Sequence, residues 1–156
     1  MFEYYARGSV GSIKECNPGP YPCLSGSAAN NGIAAYIDKY SFDTEEIGSP
    51  LISAPSQTDN FTCFVQTGKF EASQNIHLLK TKDEFNYLTK NDLTIIAFIM
   101  SQTFNSAGYS YHSGSLNQTR LMHESIPLPF NTKTNKIDLS ITNRFTCNVE
   151  YEGIDE

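Results

Sequence analysis

Tyr21-Pro22-Cys23-Leu24-Ser25-Gly26-Ser27-Ala28-Ala29-Asn30-Asn31-Gly32-Ile33-Ala34-Ala35-Tyr36-Ile37 is the stretch on which the fold turns. Residues 21–26 follow the breaker Asn17-Pro18-Gly19-Pro20 and read as a short strand. Asn30-Asn31-Gly32 is a tight-turn signal, because Asn and Gly both tolerate positive φ. Ile33 to Ile37 is apolar around Tyr36 and predicts a second strand. A strand, a turn bearing two side-chain amides and a returning strand are expected here.

Further strands are expected at Leu51–Ser53, Phe61–Gln66 and Asn75–Lys80, which are β-branched or aromatic and separated by Gly, Pro, Asn and Asp. Thr67-Gly68-Lys69 lies between two of them as a turn with a basic tip. The acidic run Asp43-Thr44-Glu45-Glu46 reads as a solvated loop. Leu93–Phe104 is apolar all round; its length, with Asn91 or Asp92 as N-cap, favours a buried helix. Ser106–Gln118 is a polar loop rich in Gly, Ser and Tyr, and Leu121–Leu128 reads as a strand closed by Pro127 and Pro129. Asp138 is placed to cap a short final helix from Leu139 to Phe145. The pattern is α+β: a single β-rich domain over 1–150 with one long buried helix, a short C-terminal helix and an acidic tail over 151–156.

The length of 156 residues fits one domain, and ten Phe and nine Tyr supply enough apolar area for a core. The longest apolar run, Ile95–Met100, has six residues, far short of the ~18 that a membrane helix needs. Met1-Phe2-Glu3-Tyr4-Tyr5 lacks the basic start and apolar middle of a secretory signal, so a soluble cytoplasmic protein is expected. The formal charge of -6 argues against a nonspecific polyanion binder. Its distribution is uneven: residues 66–144 hold eight basic and six acidic groups, whereas 1–65 hold three and seven. The middle of the chain therefore permits contact with a polyanion.

Motifs for catalysis are missing. Cys16, Cys23, Cys63 and Cys147 form no C-x-x-C pair, and His77, His112 and His123 show no zinc spacing beside them, so reduced thiols and no metal or other cofactor are expected. Gly8-Ser9-Val10-Gly11 lacks the Gly-Lys-Ser/Thr ending of a phosphate loop. Asn17-Pro18-Gly19-Pro20-Tyr21 is not the Asn-Pro-Pro-Tyr motif of amino-methyltransferases, because Gly19 interrupts it. No Gly-x-Ser-x-Gly nucleophile elbow is present. Elimination favours a recognition module over an enzyme.

Three ordered segments carry a family resemblance. Residues 21–38 resemble the "YP-x-[IL]-S-x-S-x-x-NNGI-x-[GA]-Y-[IV]-D" opening of DNA-specificity subunits of type I, and related type IIB, restriction-modification systems. Gln66-Thr67-Gly68-Lys69-Phe70, then Ile76-His77-Leu78-Leu79-Lys80, is similar to their central "Q-x-G-x-F … I-x-x-L-K". Tyr109-Ser110-Tyr111, Arg120-Leu121 and Ile126-Pro127-Leu128-Pro129 resemble the closing "Y-S-Y … RL … I-x-LP". The likeness covers roughly residues 20–145. It implies one target-recognition domain that docks on duplex DNA, reads part of a split sequence and positions a partner N6-adenine methyltransferase, with a restriction activity also open. Two departures stand out: His112-Ser113-Gly114 replaces the basic residues usual after Tyr-Ser-Tyr, and no heptad helix spaces a second domain. Self-pairing, docking beside a second recognition domain, or a helical part elsewhere are all open.

Base reading needs polar side chains on fixed loops, with Asn and Gln suited to adenine and Arg and Lys to guanine. The candidate DNA-binding residues are Ser27, Asn30, Asn31, Lys69, Tyr109, Tyr111, His112, Asn117 and Arg120. Each has a plainer alternative. Asn30 and Asn31 build the turn or touch DNA; Tyr109 and Tyr111 pack a sheet or meet bases; Lys69 is solvated or holds a phosphate; Arg120 makes an ion pair or a DNA contact. Exposed Tyr, Asn and Ser also suit a protein- or carbohydrate-binding module. Salt dependence separates the two classes, since only DNA binding weakens steeply as salt rises.

Overall fold

The computed structural model describes residues 1–109 and 114–140. Its first unit, Met1–Ile126, is built on two four-stranded sheets and a long helix. In chain order the strands are β1 (Phe2–Arg7), β2 (Pro18–Leu24), β3 (Ile33–Ile37), β4 (Phe42–Asp43), β5 (Leu51–Pro55), β6 (Phe64–Gln66), β7 (Lys69–Ala72) and β8 (Ile76–Thr81). One sheet runs β1-β8-β5-β6 and is antiparallel throughout. The other runs β3-β2-β7-β4, with β2 and β7 parallel. The mixed α+β class expected from the sequence is the class observed.

Strand alternation explains the layering. On β8 and β5, Ile76, Leu78 and Leu51 share one face and join Leu24, Phe42, Phe70 and Ala72 of the second sheet in a buried cluster. The opposite face carries His77 and Leu79 and looks toward the helix side. With both faces covered, β8 is buried at five of its six positions. A second, smaller cluster of Val10, Cys23 and Ile37 closes the far side of β2.

The long helix α2 spans Lys90–Ser106, after the short helix α1 (Thr44–Ile47). Its N-cap is Thr89, not Asn91 or Asp92: the Thr89 hydroxyl accepts from the Asp92 N–H at 3.2 Å, and the Asp92 carboxylate accepts from the Thr89 N–H at 2.8 Å. That reciprocal pair satisfies two helix-end donors at once. Leu93, Ile96, Ala97, Met100 and Phe104 face inward. The helix is not apolar all round, since Thr94, Phe98 and Gln102 are exposed. Its C-terminal turn clasps the loop before β6: the Asn105 amide accepts from the Phe61 N–H at 2.9 Å and donates to the Phe61 carbonyl at 3.0 Å.

Two other expectations are corrected. Asp43 and Thr44 are not solvated but 7% exposed each, because Asp43 caps α1 by accepting from the Glu45 N–H. Leu121–Leu128 is not a strand. Asn117 caps a helix, α3 (Gln118–His123), and the chain beyond it pairs with no strand before Phe130. Leu121 lines a cavity of about 190 Å³ with Phe2, Leu79, Met100, Phe104 and Glu124. The second unit contains a hairpin of β9 (Phe130–Asn131) and β10 (Lys136–Ile137). The expected helix from Leu139 to Phe145 lies mostly outside the described residues. Cys16, Cys23 and Cys63 are free thiols. No helix among the described residues is long and apolar enough to cross a membrane.

Candidate nucleic-acid interface

The turn between β2 and β3 is sealed at its base, where the Ser25 N–H donates to the Gly32 carbonyl at 2.8 Å. Inside it, Ser27 turns the chain locally: its hydroxyl accepts from the Ala29 N–H at 3.2 Å. Asn30, Asn31 and Gly32 then adopt φ of 51, 52 and 78 degrees in succession. Left-handed backbone of this kind is costly for most residues and tolerated by Asn and Gly, which is why the sequence signal was readable. A Cβ at Gly32 would also lie 3.3 Å from the Phe64 ring. Asn30 and Asn31 end on the surface.

Gln66, buried on the edge strand β6, holds this turn from below. Its Nε2 donates to the Asn31 carbonyl and to Ser53 Oγ, each at 3.0 Å, and its Oε1 accepts from Asn31 Nδ2 at 3.1 Å. The next turn is fixed by Thr44, whose hydroxyl accepts from the Gly68 N–H at 2.6 Å. Lys69 follows, with Nζ 3.7 Å from Asp43 and 4.8 Å from the centre of the Tyr40 ring. Its pKa is raised, first by hydrogen bonding to Tyr40 and to a smaller degree by the Asp43 charge. The basic tip is thus partly neutralised by its own neighbours.

Tyr109, Asn117 and Arg120 form a separate group. The Tyr109 hydroxyl donates to the Glu124 carboxylate, which raises the phenol's pKa, and the ring packs edge-on to Phe61 at 6.2 Å. The Arg120 guanidinium lies 5.9 Å from the Tyr109 ring centre and donates to the Ser115 carbonyl at 3.0 Å. Asn117 spends its side-chain oxygen on the Arg120 N–H as the α3 cap. Tyr111 and His112 lie outside the described residues. The structure therefore brings Ser27, Asn30 and Asn31 together on one turn, links Lys69 to them through the Gln66–Thr67–Gly68 turn, and sets the Tyr109 group apart.

A groove of about 600 Å³ runs from Asn31 to Asn105, between the β6 edge and α2. Lys90, Thr94, Phe98 and Gln102 line its helical wall. They recur every four residues, the spacing that puts side chains on one face of a helix. Phe98 is 63% exposed there. This wall escaped the sequence reading, although the four-residue repeat of non-core residues within an apolar run was its visible signal. Gln66 also went unnoticed as the support of the Asn turn, because its partners lie 35 residues away.

No match was found among curated proteins. The family model described as Type I restriction modification DNA specificity domain matches residues 2–153, nearly the whole chain. Over nearly its whole length, therefore, the chain belongs to the type I restriction-modification DNA specificity domain family.

Proposed function

We infer that this chain reads part of a duplex DNA target with the turn at residues 27–32 and directs a partner N6-adenine methyltransferase to it. The observation that carries this reading is the pairing of exposure with fixation: Asn30 and Asn31 face solvent while Gln66 holds the backbone and side chain of Asn31 in one geometry. Pre-ordered polar groups lose little entropy on binding and report a wrong base as a lost hydrogen bond. Lys69, Tyr109, Asn117 and Arg120 are flanking contacts in this reading, and Tyr111 and His112 are proposed with them. The transfer chemistry belongs to the partner chain.

The test is to purify the chain with its methyltransferase, measure duplex binding across a salt series, and sequence the DNA that the complex methylates. Binding should fall steeply with salt, and the methylated adenines should share one motif. Salt-insensitive binding, or methylation with no common motif, overturns the reading in favour of a protein- or carbohydrate-binding module.

A further inference from the structure

We propose that Gln66 fixes which way the Asn31 amide faces, and so makes Asn31 the reader of a base that carries an exocyclic amino group in the major groove. The proposal rests on the reading of Asn31 as a DNA contact and names what that contact recognises.

The argument is one of hydrogen-bond polarity. A backbone carbonyl can only accept, so the Gln66 atom 3.0 Å from the Asn31 carbonyl must be the amide nitrogen Nε2. The other Nε2 hydrogen is taken by Ser53 Oγ at 3.0 Å, and the Ser53 hydroxyl in turn donates to the Phe64 carbonyl at 3.3 Å. With nitrogen placed there, Gln66 Oε1 is the atom that meets the Asn31 side chain, and an oxygen can receive only from Nδ2, which lies 3.1 Å away. An Asn on a solvated turn ordinarily flips freely between two nearly equivalent orientations. Here a buried residue on another strand removes one of them.

Asn31 is left with its Oδ1 acceptor and one remaining Nδ2–H. In the major groove, adenine N6 and cytosine N4 are donors, whereas guanine O6 and thymine O4 are acceptors. Guanine and thymine can take only the remaining Nδ2–H and leave Oδ1 unpaired or against a second acceptor, so they make fewer bonds with Asn31 and are disfavoured. Adenine gains more than cytosine, because its N7 can also accept from the remaining Nδ2–H. Gln66 touches no base in this scheme; it is a positioning residue that acts through Asn31.

The experiment selects duplexes from a random-sequence library with the purified methyltransferase complex, using wild type, Asn31→Gly, Gln66→Leu and Ser53→Ala. Glycine keeps the positive φ of position 31 and removes only the side chain. The expected result is one target position carrying adenine or cytosine, whose preference falls by about tenfold or more in Asn31→Gly and in Gln66→Leu. Ser53→Ala should melt at a lower temperature yet keep that preference, since the Asn31 carbonyl still sets the Gln66 amide. An Asn31-dependent position that prefers guanine or thymine overturns the proposal. So does a folded Gln66→Leu protein with the preference intact; should that variant not fold, the base identity at the Asn31-dependent position still decides. If Asn31→Gly changes no position, the Asn31 contact falls and this proposal with it, while DNA reading stands. If wild type selects no motif, the functional reading itself falls.

Discussion

The turn at residues 27–32 and the segment around Tyr109 to Glu124 are both polar and surface-lying, yet they spend their polar atoms differently. In the first, support comes from a buried residue of another strand, and Asn31 keeps free atoms on its outer side. In the second, support is local: Asn117 caps α3, Arg120 bonds the Ser115 carbonyl and Tyr109 bonds Glu124. Exposure alone is a poor guide to what a side chain can offer a ligand. What counts is the number of donors and acceptors left after the fold has taken its share.

The largest effect expected from this contrast is at Asn31. Asn31→Gly should lower base discrimination by about 1–3 kcal/mol, read in competition binding of matched and mismatched duplexes. Asn117→Ala should leave discrimination intact. Loss of an N-cap destabilises by about 1 kcal/mol, visible in a thermal melt, while the selected DNA motif stays the same. A changed motif in that variant would erase the distinction between the two regions.

A pH dependence sharpens the comparison from the side of the second region. His77 is 3% exposed, donates from Nε2 to the Leu116 carbonyl at 3.1 Å and, as the neutral ring, accepts at Nδ1 from the Tyr4 hydroxyl at 3.0 Å. Burial lowers its pKa from 6.5, with the Arg7 charge acting the same way and the Leu116 bond opposing. The folded state therefore disfavours the proton, so this contribution to stability is complete above pH 6.5 and is lost as pH falls through the lower folded pKa. Thermal melts from pH 7 downward should show the decline, and His77→Gln should flatten it. The smallest effect belongs to Lys69. Lys69→Ala should weaken binding alike for all sequences and reduce the salt slope by about one unit at most.

Much of this was legible in the sequence where the signal is local. Asn30-Asn31-Gly32 marked the turn because positive φ selects its residues, and the strands beside it followed from their apolar runs. The long helix was readable from length, but its start was misplaced because Thr89 and Asp92 act as a pair three residues apart. α3 was mistaken for a strand because its apolar residues border two prolines, although Asn117 ahead of it was the usual cap residue. Asp43 looked solvated within an acidic run; its role as the α1 cap, and Lys69 brought beside it by β4–β7 pairing, explain its burial. Gln66 was visible as a letter in a motif but not as a brace, since bonds across 35 and 13 residues leave no periodic trace.

The Ser25–Gly32 bond closes the loop at its neck and separates residues 26–31 from the sheet that bears them. Such a loop behaves as a cartridge. Its contents can be rewritten without disturbing the two sheets behind it, provided the new sequence still offers a carbonyl and an amide hydrogen to the one glutamine underneath. If the proposed reading of the turn holds, retargeting becomes a matter of exchanging six residues around a fixed socket, and the socket decides in advance which pole of the incoming amide will point outward.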